Sequence, residues 1–290
     1  MATQIEAPAT DMLQRFIREA LHEDIGTGDH TSAATVPASA TDKAHLLIKD
    51  EGVLAGVSLA RMIFQEVDES ITFDQRLSDG TAVKHGDVAF YVEGPSRSLL
   101  QAERLALNCM QRMSGIATMT RRFTEQIDDL HTQILDTRKT TPLLRFLEKW
   151  AVRIGGGTNY RDGLYDRIMI KDNHVEASGG IQDAIIKVEK YLRQHDLQLE
   201  MTVEVRDLDE LRAAIAVGEG RIQRLMLDNF SPDQIREALD IIDGRFESEA
   251  SGGITLETVR AYAETGVDFI SVGALTHSYH SLDMSLKIIE

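Results

Sequence analysis

The stretch RLMLDNFSPDQ, residues 224–234, carries the signals of a β-strand followed by an α-helix. The apolar run at 225–227 has the length of a strand and ends at two polar residues, Asp228 and Asn229. Ser231 then precedes Pro232, which is favoured at the first helical position, and Gln234 completes a capping box. The order of strand, polar end and helix start predicts one βα unit.

The same order recurs through the second half of the chain. Other helix starts are predicted at Thr141-Pro142, at Asp207 with Glu210, and at Thr255. Strands alternating with helices at this spacing are typical of parallel βα units, and six or more in succession favour a closed or nearly closed α/β barrel. The predicted strands begin near residues 133, 167, 200, 224, 246 and 268.

The first part of the chain has a different pattern. We predict a helix over 11–22, a Gly-rich loop, strand-like runs between 44 and 94 with a helix near 58–68, and a long helix to about 126 with a possible break at Ser114-Gly115. The sequence therefore predicts two domains, an α+β layer over 1–115 and a barrel over 116–275. We expect the tail, 276–290, to pack on the first domain.

The chain is acidic, with 31 Lys and Arg against 47 Asp and Glu among 290 residues and a net charge of −16. This charge argues against nonspecific binding to nucleic acid or to an anionic membrane. Residues 138–171 are an exception, because eight basic residues face three acidic ones, which leaves 8 − 3 = +5. A local cationic segment in an acidic protein favours a small anionic ligand.

Cysteine usage and hydropathy predict a cytoplasmic protein. Cys109 is the single cysteine, so no disulfide forms within the chain, and its helical, apolar surroundings indicate inert packing. The first residues lack a basic segment followed by an apolar one, so we expect no signal peptide. No apolar run approaches the ~20 residues that a transmembrane helix needs.

Polar residues or glycines occupy every predicted strand end of the second domain. In parallel α/β barrels these ends meet on one face, where ligands bind. A purely structural barrel does not require this pattern, so we expect the side chains to meet in one anion-binding mouth. The strand-end residues are Asp136-Thr137-Arg138-Lys139, Lys171-Asp172-Asn173-His174, Glu204, Asp228-Asn229, Ser251-Gly252-Gly253 and Gly273-Ala274.

The Gly-rich turns and the cations match an anionic ligand. The turns at 251–253 and 273–274 precede predicted helix starts, an arrangement that suits a phosphate monoester, although tight turns without a ligand are the alternative. Arg138, Arg161, Lys139 and Lys171 would contact carboxylates or phosphates, and each could also be a solvated surface charge. The loop IGGGTNYR, 154–161, lacks a nucleotide-binding fingerprint, and we interpret it as a flexible turn that brings Arg161 to the site.

Two acids and one histidine complete the predicted site. Glu204 and Asp228 could bind Mg²⁺, directly or through water, or contact ribose hydroxyls, and the alternative is a salt bridge to the neighbouring cations. His174 could carry a proton or contact an anion, and the alternative is a structural histidine bonded within its own loop.

Taken together, several motifs resemble the quinolinate phosphoribosyltransferase family from about residue 10 to the C-terminus. They are ERLALNCMQRMSGIAT, ILDTRKTTP, GGGTNYRDGLYDRIMIKDNH, VEV, LMLDN, EASGGI and SVGALTHS. The resemblance implies an N-terminal α/β sandwich domain with an open parallel α/β barrel. It also implies a pentosyltransferase that joins quinolinate to 5-phosphoribosyl-1-pyrophosphate with Mg²⁺, giving nicotinate mononucleotide, pyrophosphate and CO₂ for NAD biosynthesis.

The resemblance further implies roles for single residues. Lys139, Lys171, Glu204 and Asp228 would be the catalytic residues. Arg138, Arg161, Lys139 and Lys171 would bind the quinolinate carboxylates and the phosphates, with His174 nearby. Glu204 and Asp228 would face the ribose hydroxyls and Mg²⁺-pyrophosphate, and Ser251, Gly252, Gly253, Gly273 and Ala274 would hold the 5′-phosphate. Arg104 resembles an arginine that the family donates across a dimer interface, so we expect a homodimer with shared sites, or a hexamer.

The sequence departs from the family pattern at two places. The family often has His before the arginine of the Gly-rich loop, whereas this chain has Tyr160. The segment GEGRIQRLMLDN is a few residues longer than usual, and the alignment of Glu204 depends on placing that insertion in a loop.

Three other functions remain open from the sequence. They are a molybdenum-transport-associated relative with another substrate, a phosphate-ligand binding protein on a barrel scaffold, and a nicotinate phosphoribosyltransferase. Acids and cations together at the strand ends favour an enzyme over a simple binder.

Overall fold

A computed structural model describes residues 6–289 of the chain, which divides into two compact units. The first contains the chain up to Arg121, the segment Pro142–Gly156, and the chain from Ser278 onward. The second contains Arg122–Thr141 and Gly157–His277. The domain boundary at 115/116 remains a prediction, and segment 142–156 lies outside the unit to which the sequence pattern assigned it.

The first unit combines helices with an antiparallel sheet. Its larger sheet has four strands in the order β12-β1-β5-β3, and a smaller sheet pairs β2 with β4. The helices are α1 (Thr10–Ile25), α2 (His30–Thr35), α3 (Val57–Val67), α4 (Ser96–Glu125, of which the residues to Arg121 belong here) and α5 (Arg145–Ile154). The strands are β1 (Thr41–Ile48), β2 (Gly52–Val53), β3 (Thr72–Gln75), β4 (Ala82–Val83), β5 (Val88–Pro95) and β12 (Met284–Ile289).

An aromatic cluster forms part of the core of this unit. The ring centroids of Phe73 and Phe90 lie 4.3 Å apart, and Phe64 of α3 meets Phe90 edge-on at 6.0 Å. Phe64 and Phe90 are fully buried, as expected for the apolar faces of an amphipathic helix and a sheet. This burial attaches α3 to the sheet.

Helix α4 continues through Ser114-Gly115, so the predicted break is wrong. The buried hydroxyl of Ser114 accepts a hydrogen bond from the Ala55 amide at 2.9 Å and donates one to the Ala55 carbonyl at 3.1 Å. A Cβ at Gly115 would lie 2.2 Å from the carbonyl oxygen of His280. The glycine therefore permits close approach of the C-terminal segment and does not end the helix.

The C-terminal segment enters the sheet of the first unit as an edge strand. Strand β12 pairs antiparallel with β1, so Ile288 lies opposite Ala44 and Met284 lies opposite Ile48. The main chain also joins α4, since the Leu282 amide donates to the Gln111 carbonyl at 3.0 Å. Residue 290, the last of the predicted tail, lies outside the described residues.

The second unit is built on a six-stranded parallel sheet in the order β6-β11-β10-β9-β8-β7. Within residues 6–289 no ladder joins the two outer strands, β6 and β7, so the sheet is open. The strands are β6 (Gln133–Leu135), β7 (Ile168–Ile170), β8 (Met201–Val205), β9 (Arg224–Asp228), β10 (Glu247–Ser251) and β11 (Phe269–Ser271). The helices are α6 (Asp172–Ser178), α7 (Ile181–Gln194), α8 (Leu208–Gly218), α9 (Pro232–Ile242), α10 (Val259–Ala263) and α11 (Ala274–His277).

The sequence located the strands of this sheet and two of its helix starts correctly. Each of the six predicted strands forms, and the α/β class is confirmed. Ser231 and Gln234 make the expected capping box at α9, and the Asp207 carboxylate accepts hydrogen bonds from the amides of Asp209 and Glu210 at α8. The helix predicted from Pro142 begins instead at Arg145, because Leu143 adopts a left-handed conformation with φ 66°.

The described helices include none with both the length and the apolar character needed to cross a lipid bilayer.

Candidate active site

A cavity of about 600 Å³ opens at the carboxyl ends of the parallel strands of the second unit. Its volume is that of a small-molecule site. The sequence placed most of its predicted residues correctly, because parallel strands end on one edge of the sheet. The predicted residues that line the cavity are Arg138, Lys139, Arg161, Lys171, Glu204, Asp228, Ser251, Gly252, Gly253, Gly273 and Ala274.

Two arginines make one part of the cavity electropositive. Arg161 is only 9% exposed, and its Nη1 donates to the Arg167 carbonyl at 3.5 Å. Burial and, next in size, the charge of Arg138 lower the pKa of Arg161 below its ordinary value. The two guanidinium groups therefore repel each other across a partly dehydrated space, and an anion between them would relieve that repulsion.

The buried carboxylate of Asp136 fixes the loop that carries Arg161. Its Oδ1 accepts a hydrogen bond from the Tyr160 amide at 2.9 Å, and its Oδ2 accepts one from Asn159 Nδ2 at 2.5 Å. Thr158 also forms a parallel bridge with Leu135 at the edge of the sheet. The Gly-rich loop predicted to be flexible is therefore tied to the end of β6 immediately before Arg161.

Lys171 and Glu204 form an ion pair at the ends of the neighbouring strands β7 and β8. The Glu204 side chain is 9% exposed and that of Lys171 is 42% exposed. The salt bridge that the sequence analysis left open for Glu204 is thus present. Both groups also line the cavity, so the pair is available to a ligand.

Asp228 is held by two neighbours on the same rim. Ser251 Oγ donates to Asp228 Oδ1 at 2.8 Å, and Asn229 Nδ2 donates to Asp228 Oδ2 at 2.7 Å. The register of β9 and β10 places Ser251 directly beside Asp228. The carboxylate is therefore oriented before any ligand arrives, which lowers the entropy cost of using it.

The turn after β10 requires glycine for two different reasons. Gly252 has φ 94°, and a Cβ there would lie 2.2 Å from Asn229 Oδ1 and 3.0 Å from the Asn229 amide nitrogen. Gly253 has φ 63°, with no heavy atom within 4 Å of an added Cβ. The turn thus brings bare backbone to the cavity rim, a geometry that suits close approach of an anion.

Lys139 reaches the second Gly-rich turn. A Cβ at Gly273 would lie 3.1 Å from Lys139 Cδ and 3.0 Å from His277 Nε2. The Lys139 carbonyl accepts a hydrogen bond from Thr276 Oγ1 at 2.8 Å, which attaches the segment after β6 to α11. The absence of a side chain at Gly273 is what leaves room for these two cationic or polar groups.

Two residues with predicted substrate contacts, His174 and Arg104, do not line the cavity. The same is true of four other predicted strand-end residues, which are Asp136, Asp172, Asn173 and Asn229. His174 is exposed, and its Nδ1 accepts a hydrogen bond from the Lys171 amide at 3.0 Å at the start of α6, which is the structural alternative named for it. Arg104 is exposed on α4 in the first unit. Their roles toward a substrate stay predictions.

The sequence analysis missed several residues of the cavity. Met169, Met226 and Tyr160 add apolar surface, and Ser271 and His277 add polar groups. It also missed the buried pair of Arg224 and Glu249, which are 5% and 0% exposed. The one available signal was the presence of charged residues inside predicted buried strands, because such residues are seldom buried without a partner.

The two carboxylates of the cavity fit Mg²⁺ as part of a coordination shell that a substrate completes. Among residues 6–289 no group of three or more His, Cys, Asp and Glu side chains could hold a metal by itself. Glu204 and Asp228 nevertheless line the same cavity. Mg²⁺ commonly uses one or two carboxylates together with substrate phosphate oxygens and water. These residues therefore fit an ion that arrives with a phosphorylated substrate.

Comparison with known proteins connects this geometry to one family. The profile of the quinolinate phosphoribosyl transferase C-terminal domain matches residues 116–287, and that of the N-terminal domain matches residues 29–114. A quinolinate phosphoribosyltransferase [decarboxylating] 1b of Nicotiana tabacum is 46% identical over 95% of this chain and 82% of its own length. A probable nicotinate-nucleotide pyrophosphorylase [carboxylating] of Bacillus subtilis is 44% identical over 95% of this chain and 93% of its own.

Solved structures agree with the sequence relatives. The nicotinate-nucleotide pyrophosphorylase from Francisella tularensis superposes with a TM-score of 0.90 and 39% identity, over the whole of both chains. NadC from Streptococcus pyogenes superposes with a TM-score of 0.91 and 38% identity, over 98% of this chain and all of its own. The two family profiles together cover most of the chain, and the cavity contains most of the residues that the family motifs indicated. The chain therefore belongs to the quinolinate phosphoribosyltransferase family.

Proposed function

We propose that the chain transfers the phosphoribosyl group of 5-phosphoribosyl-1-pyrophosphate to quinolinate and releases pyrophosphate and CO₂, giving nicotinate mononucleotide for NAD biosynthesis. The observation that carries this proposal is the single cavity in which four cations, two acids and two Gly-rich turns meet. The choice of reaction is supported by the relatives of this chain that are named quinolinate phosphoribosyltransferase and nicotinate-nucleotide pyrophosphorylase.

The arginine side of the cavity suits the dicarboxylate. Quinolinate carries two carboxylates on adjacent ring carbons, and planar guanidinium groups bind carboxylates through two parallel hydrogen bonds. Arg138 and Arg161 carry like charges that repel each other, and each would gain an anionic partner. Met169 and Met226 supply apolar surface for the pyridine ring. Lys139 and Lys171 would add point charges toward carboxylate or phosphate oxygens.

The Gly-rich side suits the ribose phosphate. The turns at Ser251–Gly253 and Gly273–Ala274 bring backbone amides to the rim, and these would donate hydrogen bonds to the 5′-phosphate. Glu204 and Asp228 would accept hydrogen bonds from the ribose hydroxyls. The preset orientation of Asp228 by Ser251 and Asn229 favours this role, since a fixed acceptor loses little entropy on binding.

Mg²⁺ is the metal that we propose for the site, held by Glu204 and Asp228 directly or through water. Bound there with pyrophosphate, the ion would supply positive charge to offset the negative charge that develops on the leaving group. Chelation by EDTA is expected to abolish turnover and leave thermal unfolding of the free protein unchanged. Full turnover after exhaustive chelation would exclude the metal role.

The residues then act mainly by position and charge. The pyridine nitrogen forms a bond to C1 of the ribose as the bond from C1 to the pyrophosphate oxygen breaks. Arg138, Arg161, Lys139 and Lys171 hold the two highly charged molecules together against their mutual repulsion. The ring nitrogen is now cationic and stabilises the carbanion left when the adjacent carboxylate departs as CO₂, and that carbon takes up a proton. No covalent intermediate with the protein is needed.

The test is incubation with quinolinate, 5-phosphoribosyl-1-pyrophosphate and Mg²⁺, with detection of CO₂ and nicotinate mononucleotide. Nicotinate replaces quinolinate in the control, because it lacks the second carboxylate. Product from nicotinate alone would favour a nicotinate phosphoribosyltransferase. Binding of phosphates without product from either acid would favour a phosphate-binding protein or a molybdenum-transport-associated relative.

We place Arg104 in the active site of a partner subunit, within a homodimer or, as the alternative, a hexamer. Its exposed position on α4 leaves the guanidinium available to a second chain. Mixing Arg104→Ala with Lys139→Ala under subunit exchange should restore part of the activity, since some sites then contain both wild-type residues. Absence of recovery despite demonstrated exchange would contradict shared sites, and light scattering would distinguish dimer from hexamer.

We place the reaction in the cytoplasm, supported by the single cysteine. Relatives carry organelle names, such as the chloroplastic pyrophosphorylase of Arabidopsis thaliana and a mitochondrial phosphoribosyltransferase of Nicotiana glauca. Fractionation of the source cells, with activity followed in each fraction, would decide between these compartments.

A further inference from the structure

A buried ion pair in the parallel sheet lies next to the cavity lining. Arg224 of β9 donates from Nη1 to Glu249 Oε2 of β10 at 3.0 Å, and from Nε to Glu247 Oε2 at 2.9 Å. Burial raises the pKa of Glu249, while a hydrogen bond from Ser271 and the charge of Arg224 act in the opposite direction. A buried ion pair often adds little to folding stability, because taking both charges out of water offsets their attraction. The residues that this pair contacts therefore indicate what else it does.

The ring of Tyr160 is contacted by two guanidinium groups. The Arg224 guanidinium carbon lies 5.0 Å from the ring centroid and that of Arg167 lies 5.2 Å away, both within cation–π range. Nη1 of Arg167 is buried without a hydrogen-bond partner. Nη2 of the same guanidinium group pairs with Glu200, so the Tyr160 ring adds a cation–π contact to an arginine that already has an anionic partner.

The polar groups of Tyr160 are also occupied. Its hydroxyl shares a hydrogen bond of 2.5 Å with Oγ1 of Thr202, which is fully buried, and its amide donates to Asp136. The hydroxyl is therefore directed into the sheet. Tyr160 lines the cavity, and because its hydroxyl is bonded to Thr202 we take the ring as the part that a ligand would meet.

Glu249 connects the pair to the cavity at a second point. Ser271 Oγ donates a hydrogen bond to Glu249 Oε1, and Ser271 lines the cavity. The carboxylate thus holds Ser271 directly and Tyr160 through Arg224. Two separate parts of the cavity wall depend on one buried ion pair.

We propose that Tyr160 and the buried Arg224–Glu249 pair form one positioning unit, which supplies an uncharged aromatic wall to the dicarboxylate subsite and holds the adjacent Arg161 in place. Tyr160 touches the ring of the bound acid, whereas Arg224 and Glu249 act through Tyr160 and Ser271. This inference rests on the proposed function, because it assigns the subsite around Arg161 to quinolinate.

The first test compares two substitutions at Tyr160 that leave the ion pair intact. Tyr160→Leu removes the ring and is expected to weaken quinolinate binding about tenfold or more, by calorimetry without the ribose donor. Tyr160→Phe keeps the ring, loses the bond to Thr202, and should weaken binding about threefold. Ribose 5-phosphate, the probe for the Gly-rich turns, should bind both variants as it binds the wild type.

The second test removes both charges of the pair together. Arg224→Met combined with Glu249→Gln avoids leaving one buried charge alone, which would itself destabilise the sheet. We expect about a tenfold loss of quinolinate affinity with ribose 5-phosphate affinity retained. Adding Tyr160→Leu should cause little further loss, because residues that act as one unit are not additive. Arg260→Met, which removes exposed ion pairs to Asp129 and Glu264, is the matched control.

The outcomes that would overturn this inference differ from the outcome that would overturn the proposed function. Equal losses for quinolinate and ribose 5-phosphate would show a general structural role for the pair, and wild-type quinolinate affinity in Tyr160→Leu would exclude the aromatic wall. Full additivity of the Tyr160 and pair substitutions would exclude a single unit. A wild-type protein that makes no product from quinolinate would instead overturn the proposed function.

Discussion

Lys171 and Glu204 pair at the ends of adjacent parallel strands, where the glutamate side chain is largely buried, the lysine side chain is partly exposed, and both residues line the cavity. Each partner faces a different kind of ligand group, since the lysine attracts anionic oxygens and the glutamate accepts hydrogen bonds from hydroxyls. The ion pair therefore holds both charged groups in place when no substrate is bound. Both groups are then available to a substrate when it binds.

Breaking this pair should separate activity from stability. Lys171→Met leaves a buried carboxylate without its cation, and because the lysine is partly solvated we expect to lose about 1 kcal/mol of unfolding free energy. The double variant Lys171→Met with Glu204→Gln should recover that stability in urea unfolding. Its kcat/KM should still fall at least ~100-fold, as for loss of a preorganised charge. Recovery of turnover in the double variant would contradict a role in the reaction.

We expect Arg138 to lower the unfolding free energy of the free protein while it supports substrate binding. The charge of Arg138 contributes to the lowered pKa of Arg161, so Arg138→Gln should raise the unfolding free energy of the free protein by about 0.5 kcal/mol. The same variant, like Lys139→Ala, should lose at least ~100-fold in kcat/KM and most of the thermal shift caused by quinolinate. Arg236→Gln, an exposed arginine paired with Asp233, is the control. A destabilised Arg138→Gln protein would argue against repulsion.

The two glycines after β10 should respond differently to alanine. Gly252→Ala combines a left-handed conformation with overlap against Asn229, and we expect a loss of roughly 2–3 kcal/mol in unfolding free energy. Gly253→Ala has only the backbone strain, about 1 kcal/mol. Ribose 5-phosphate affinity should fall more for Gly252→Ala, because Asn229 also orients Asp228. Similar unfolding energies for the two variants would contradict the described turn.

Cys109 should be inert in the folded protein. Burial raises the pKa of its thiol from 9.0 to about 12. At pH 8 the thiolate is therefore about one part in ten thousand, and it increases only as the pH rises toward the raised pKa. A thiol reagent should label the chain slowly at pH 8 and rapidly in denaturant, where the ordinary pKa returns, and Cys109→Ser should abolish labelling. Fast labelling of the folded protein would show that the thiol is accessible.

Local signals in the sequence were sufficient for the secondary structure of the parallel sheet and for most of the site. Strand length, capping boxes and helix-favouring Pro act over a few residues, so RLMLDNFSPDQ predicts β9 and α9 without knowledge of anything distant. The position of Asp228 at a strand end then follows, and parallel strands bring such ends together. The same reasoning located Arg138, Lys171, Glu204 and Ser251 in one cavity.

The sequence was interpreted less well where the role of a residue depends on a contact that is distant along the chain. Ser114-Gly115 resembles a helix break because glycine weakens helices, but here it permits contact with His280 far along the chain. That contact cannot be read from residue type. The ring nitrogen of His174 accepts a hydrogen bond from the Lys171 amide three residues earlier, which is the structural alternative that the sequence offered, and its role toward a substrate stays a prediction.

The sequence by itself determined where the parallel strands of the second unit lie, where α8 and α9 begin, and which polar groups stand at the strand ends, because these depend on neighbours within one or two turns. Only the tertiary structure decided that segment 142–156 joins the first unit, and that Arg224, Glu249 and Tyr160 form one buried cluster. The physical reason is that burial and charge pairing depend on the register between strands and on packing across more than 20 residues of sequence, which local propensity does not encode.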